Sequence, residues 1–304
     1  MRSLTAARVR VPCSTSNFGS GYDTIGLALD RYLDAAFIPD DSGDLSVERS
    51  GTLARLAADE PDLVARAFIR RLGRGTQRPS GTIRLSSDIP VARGLGTSAA
   101  ARIAGFALAD AAGGSPEDKD SIFAVAVSGE GHPDNVAPCL FGGLQAVAST
   151  PDGPVSMALN LSEDVGLAYA APEVGVSTDE ARRILPEKVP HGVAAASLGR
   201  VIALTRGLAE ADPRLIRIGV EDELHLPHRL PLIPGAAAAI SAGMDAGAWA
   251  VTVSGAGSGL IGLCPPDDAE AVAAAMHEVF DGGSGDPECV GFAVRPDFLG
   301  LRRV

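Results

Sequence analysis

The chain reads as a two-domain α+β protein. Strand-like and helix-like stretches are mixed without a regular repeat, and the character of the sequence changes after Gly143. Its 304 residues are enough for a sizeable core, and 46% are hydrophobic against 21% charged, the balance of a folded chain without low-complexity tracts.

The elements follow in order. Residues 7–11 alternate basic and apolar side chains and read as a strand, and 12–26 as a polar, glycine-rich loop before a second strand at 27–38. Helical spacing of Leu63, Val64, Ala67, Phe68 and Leu72 predicts a helix over 62–72. Short strands are expected at 82–85 and 89–90, then a helix over 97–112 stopped by Gly113 and Gly114, and another over 121–128. Strands at 144–148 and 165–170 flank a turn-rich segment at 151–154, which divides the chain into domains 1–150 and 151–304. Helices at 194–210 and 213–223 precede two strands, 249–253 and 260–264, around a glycine turn.

Charge and cysteine usage exclude several function classes. A net charge of -12 argues against general affinity for nucleic acid or an anionic membrane, although a local patch of arginines and backbone N–H groups can still bind a small anion. Neither of the two lysines, Lys119 and Lys188, follows a glycine, so the G-x-x-x-x-G-K-[ST] nucleotide motif is absent. Cys13, Cys139, Cys264 and Cys289 lie far apart, with no metal-ligand spacing, and read as reduced thiols. No signal-peptide pattern and no membrane-length apolar run is expected, which points to the cytoplasm.

Three glycine-rich stretches ask for explanation. In IPVARGLGTSAAA, the residues from Arg93 to Ser98 precede a helix whose first N–H groups lack internal partners. A phosphate there would gain those donors and the helix dipole, while Thr97 or Ser98 acting as a simple cap is the competing explanation. VSGAGSG, 253–259, suits a hairpin turn, yet it is longer than a hairpin needs and suggests backbone brought close to something. In PCSTSNFGSGYDTIGLAL, 12–29, Asn17 and Asp23 are polar groups for which a turn role is the default.

Together, and in their order along the chain (12–29, 89–101, 253–259), the three stretches resemble the small-molecule kinase superfamily named for galactokinase, homoserine kinase, mevalonate kinase and phosphomevalonate kinase. EGHPDNVAPCLFGGL (130–144), STDEARRILP (177–186) and DELHLPHRLPLIPG (222–235) are similar to its homoserine kinase branch, so the resemblance spans nearly the whole chain. It implies an N-terminal domain like domain 2 of ribosomal protein S5, a ferredoxin-like C-terminal domain, and transfer of phosphate from ATP to the hydroxyl of L-homoserine in threonine biosynthesis. A homodimer is implied as well. A kinase of another small hydroxy acid or alcohol, and a non-catalytic ligand-binding relative, are the competing readings.

The resemblance also implies roles for residues. Arg93, Gly94, Leu95, Gly96, Thr97, Ser98 and Ala99, with Asp62 and Gly257, would hold ATP. Ser98 and Glu130 would hold Mg2+, whose hard oxygen ligands can be few; a solvated loop carboxylate is the other reading of Glu130. Arg182 and Arg229 match the substrate-contacting arginines, and a guanidinium fork suits a carboxylate. Asp23 would meet the substrate ammonium, Asn17 and Asn135 the reacting hydroxyl, and His132 would line the same pocket. Asp134 is either a base for that hydroxyl or a cap for a helix starting at Asn135. Asp62, Thr97 and Ser258 stand where the family more often has Asn, Ser and Pro.

Overall fold

The computed structural model describes residues 4–57, 62–73, 79–286 and 288–304. Residues 1–3 of the segment read for a leader, and Pro61 before the first helix, lie outside these. The first half comprises β1 (Ala7–Asn17), β2 (Gly21–Pro39), β3 (Leu45–Gly51), α1 (Leu63–Leu72), β4 (Gly81–Ser87), α2 (Thr97–Ala112), α3 (Lys119–Glu130), α4 (Pro133–Phe141), β5 (Leu144–Thr150) and β6 (Gly153–Leu159). The second comprises β7 (Gly166–Ala171), α5 (Thr178–Arg183), α6 (His191–Glu210), α7 (Pro213–Val220), α8 (Leu226–Arg229), α9 (Ala236–Asp245), β8 (Ala250–Val253), β9 (Leu260–Cys264), α10 (Ala269–Asp281), β10 (Val290–Val294) and β11 (Arg302–Arg303).

Strands β1 to β6 and β11 form a seven-stranded sheet ordered β11-β1-β2-β4-β3, with β5 pairing β2 and β6. Residues 150 and 151 meet in the β5–β6 turn, and both strands of that hairpin belong to this sheet. The chain returns to it at its end, where β11 pairs β1. The other sheet is antiparallel, ordered β10-β7-β9-β8, with α9 and α10 contributing to its apolar layer through Ala239, Val272 and Met276.

The expected loop over 12–26 is instead the end of β1, a tight turn and the start of β2. Its polar residues misled because they bond groups inside the protein rather than water: Ser14, Thr15 and Ser16 are fully buried, against Asn135 and Ser254. The turn bends through left-handed backbone at Asn17, Phe18 and Gly19. The expected strand at 89–90 is also absent, since β4 ends at Ser87, whose hydroxyl takes the amide of Ile89, and Pro90 has no N–H for a ladder.

Helix α2 is buried on almost every side, between β1 and the helices α1, α3 and α4. Glycine makes the closest approach possible: a Cβ on Gly105 would lie 2.4 Å from the carbonyl oxygen of Val64 on α1. Packing from all sides fixes the position of its N-terminus. All four cysteines are free and buried. Against expectation, α6 is long and apolar enough, by length and composition alone, to cross a membrane. In the fold it is a helix packed along α7, burying Leu204 and Leu208 and leaving Leu198 and Ile202 exposed.

Candidate active site

The N-terminus of α2 opens into a cavity of about 360 Å³. Every residue assigned a role from the sequence lines it except Ala99, which is fully buried in the first turn of α2. The residues come from distant segments of the chain, Asn17 on one and Gly257 on another, gathered by the two sheets.

Neither Thr97 nor Ser98 caps α2. The N-cap is Gly96, in left-handed backbone with no side-chain cap bond. The Thr97 hydroxyl donates instead to the carbonyl of Pro90 at 3.3 Å, and the Ser98 hydroxyl to Glu130. The first turn of α2 therefore offers its N–H groups to the cavity rather than to its own side chains. The loop before it could hold little but glycine: a Cβ on Gly94 would sit 2.0 Å from the carbonyl oxygen of Ser254, and one on Gly96 2.3 Å from the Ser14 hydroxyl.

The SGAGSG stretch joins β8 to β9 and also packs on this loop. The Ser254 hydroxyl donates to the carbonyl of Gly94 at 2.7 Å and contacts Thr15 Oγ1 at 2.9 Å, while the Gly255 amide bonds the carbonyl of Ser16. Its extra length is thus explained by close approach. Arg93 turns its guanidinium toward the carbonyls of Val91 and Glu173, leaving Nε buried without a partner. Burial holds that guanidinium below its ordinary range.

Glu130 closes the far side of the loop at the end of α3. Besides Ser98, its carboxylate receives Arg102 Nε at 2.6 Å. Burial would raise its carboxyl, but hydrogen bonds from His132, Ser98 and Arg102 hold it below the usual range. Serine and carboxylate oxygens side by side are hard donors of the kind magnesium takes, so the pair fits the ion. Among the described residues no group of three His, Cys, Asp or Glu side chains is placed to hold a metal. An ion there would therefore depend on nucleotide phosphates and water for its remaining ligands.

Beyond Glu130 the wall carries both signs of charge. Arg182 donates through Nη2 to Asp23 at 2.6 Å and through Nε to His132 Nε2 at 2.7 Å. Arg229 is different. It is 2% exposed and bonds only neutral groups, the carbonyls of Ala181 and Gly255 and Nδ1 of His225, with its guanidinium 5.1 Å from the Tyr22 ring. Among the described residues no acidic side chain pairs with it, and burial pulls its affinity for the proton down. His225 donates from Nε2 to the carbonyl of Gly19 at 3.0 Å, and burial holds it neutral, near 4. Its other nitrogen is thereby free to accept from Arg229.

The two asparagines are tied to the frame. Asn17 donates to the carbonyl of Gly255 at 2.7 Å and accepts from the amide of Asp23, while Asn135 donates to Ser16 Oγ at 3.0 Å and accepts from Ser14. Asp134 does not cap a helix starting at Asn135: α4 starts at Pro133, with His132 as N-cap. Its side chain is 1% exposed and Oδ1 has no partner. Burial, then the nearby charge of Asp23, pushes its carboxyl up to about 6.

Sequence reasoning missed Arg102, Tyr22 and Arg49. Arg102 was findable, four residues after Ser98 on one helix face. Arg49 lies on a strand whose weak burial pattern gave no signal, and it pairs with Asp62 at 3.0 Å.

Comparison with known proteins gives the family. The GHMP kinases N terminal domain matches residues 60–143 and the GHMP kinases C terminal domain residues 204–282. A homoserine kinase of Microchaete diplosiphon is 36% identical, with 91% of each chain covered, and one of a Synechococcus strain is 35% identical, covering 97% of this chain and 95% of its own. The chain belongs to the homoserine kinase family of GHMP kinases. Among solved structures, the homoserine kinase of Cytophaga hutchinsonii superposes with a TM-score of 0.86 at 28% identity, covering all of this chain and 99% of its own. The two-domain GHMP kinase architecture, S5-like then ferredoxin-like, is thereby shown, and with it a kinase that draws on ATP.

Proposed function

We propose that the chain phosphorylates the side-chain hydroxyl of L-homoserine with ATP, giving O-phospho-L-homoserine and ADP. The observation that carries the substrate is Arg229, a buried cation in the wall of the cavity with no anionic partner among the described residues. An unpaired buried charge is costly, and a substrate carboxylate would relieve it through a planar fork. The Arg182–Asp23 pair beside it offers a second cation and an anion, so an amino-acid zwitterion can exchange both ends of one ion pair for its own. A sugar or simple alcohol has no use for two guanidiniums.

In this reading the ATP phosphates lie on Gly94, Leu95, Gly96, Thr97, Ser98 and Ala99, flanked by Arg93 and Gly257. Phosphoryl transfer is mainly positioning and charge neutralisation. Ser98 and Glu130 would hold magnesium, which neutralises charge on the phosphates when bound. Asp23 takes the substrate ammonium, Arg182 and Arg229 its carboxylate, and His132 bridges Arg182 toward Glu130. Asn17 and Asn135 set the frame around the hydroxyl. That oxygen attacks the γ-phosphorus, the bond to ADP breaks, and the unpartnered oxygen of Asp134 takes the proton. The reading includes a homodimer in the cytoplasm.

The test is ADP release with ATP and magnesium against L-homoserine, L-threonine, L-serine, mevalonate and galactose. Preference for L-homoserine is expected, and a better substrate lacking a carboxylate would overturn the assignment. Glu130→Ala should lose at least ~100-fold in turnover while still binding ATP, as removal of a charge-stabilising group in phosphoryl transfer does. Unaltered turnover would sink the role of Glu130.

A further inference from the structure

We infer that the site accepts guanine as well as adenine nucleotides as phosphoryl donors, because the Asp62 carboxylate offers a base acceptors only. The inference rests on the reading that nucleotide phosphates occupy the N-terminus of α2. The wall of the same cavity built by β3, the turn after it and the start of α1 is apolar, with Leu53, Leu56, Leu63 and Val64 among its side chains. Such a wall suits a flat heteroaromatic ring, and among the described residues its polar groups are Arg49 and Asp62.

Asp62 is oriented from two sides. Oδ1 accepts the amide of Ala65 at 2.9 Å, capping α1, and Oδ2 accepts Arg49 Nε at 3.0 Å, with Arg49 also bonded to the carbonyl of Ala57. Arg49 balances the buried charge, so Asp62 is not a bare anion opposing a triphosphate. A carboxylate has about four lone-pair sites, and among the described residues one bond reaches each oxygen of Asp62, which leaves each a site for a ligand. It can only accept.

That chemistry separates the purines. Guanine presents two adjacent donors, N1–H and its 2-amino group, which match the two oxygens of one carboxylate. Adenine presents one amino group flanked by ring nitrogens that are acceptors, so a second carboxylate oxygen opposes a lone pair. An amide side chain, with one acceptor and one donor, complements adenine instead. Cytosine offers one amino donor on a smaller ring that leaves the apolar wall partly uncovered.

The experiment compares ATP, GTP and CTP as donors to L-homoserine, in the full chain and in Asp62→Asn. Asparagine keeps the size and the cap on Ala65 while replacing one acceptor by a donor. GTP is expected to support turnover with kcat/KM within about tenfold of ATP and well above CTP, and Asp62→Asn to lower the GTP/ATP ratio by about tenfold, the worth of one paired base contact. No GTP turnover in a chain that turns over ATP overturns the inference, as does an unchanged ratio in the variant. Should ATP and homoserine fail to react, the proposed function falls instead. Calorimetric binding of GTP and ATP to both proteins then still decides the base reading, and equal GTP/ATP ratios there would refute it.

Discussion

Asp134 shows how one side chain can work against stability and for activity. Its carboxyl is buried, one oxygen is unpartnered, and it is pushed up to about 6 by burial and by the charge of Asp23, against the pull of Ser16, His132 and Arg182. A carboxyl raised in the folded state favours folding below its unfolded value, near 4, and that contribution is lost as pH rises through about 6. Asp134→Asn should therefore leave the melting temperature unchanged near pH 3.5 and raise stability above pH 6 by about 2–3 kcal/mol, because each tenfold change in proton affinity is worth ~1.36 kcal/mol. The same variant should lose ~100- to 10,000-fold in kcat, with the rising limb of the rate near pH 6 removed. A variant as active as its parent would show that Asp134 takes no proton.

At the level of elements, the N-terminus of α2 opens into the candidate site and its neighbours hold it still. Gly96 is the pivot, with φ 61° and no room for a Cβ against Ser14 and Asn135. Gly96→Ala must shift β1 or α4, the two segments that carry those side chains. We expect a stability loss of about 1–3 kcal/mol, the scale of a strained left-handed residue. The Michaelis constant for ATP should rise at least tenfold, since that is what ~1.4 kcal/mol of lost binding amounts to. Denaturant titration and steady-state kinetics on one preparation check both; an unmoved ATP constant would mean that phosphate is bound elsewhere. Ser98, Arg102 and Glu130 show the same dependence, because successive turns of α2 present hydroxyl and guanidinium to the end of α3.

At the level of the whole molecule, the two sheets meet where the 12–29 and 253–259 glycine stretches touch the loop before α2. Ser254 joins all three, bonding Gly94 and Thr15, the latter 239 residues away in sequence. Tyr169 on β7 adds a bond to the carbonyl of Arg93 at 2.5 Å. Ser254→Ala strips two buried hydrogen bonds and leaves Thr15 and the Gly94 carbonyl short of a partner, costing about 1–3 kcal/mol. The effect on ATP should exceed that on homoserine, because the lost bond holds the loop proposed to carry the ATP phosphates. Equal changes in both Michaelis constants would argue that Ser254 serves folding alone.

Local order was legible in the chain itself. Helical spacing and the Gly113–Gly114 stop marked α2 to the residue, and the apolar runs of β8 and β9 marked that hairpin, because these depend on neighbours a few positions apart. The three glycine stretches were visible too, since a backbone that must bend or be approached closely excludes other residues. Polarity misled at Ser14, Thr15 and Ser16: in isolation a polar run looks solvated, and only partners more than a hundred residues distant show it buried. Tertiary structure alone decided that Ser98 turns to Glu130 rather than capping its helix, that Arg229 is buried among neutral groups, and that Asp134 keeps an oxygen unpaired. Each of these is a matter of which groups meet, and how far from water, and no local pattern encodes a distance.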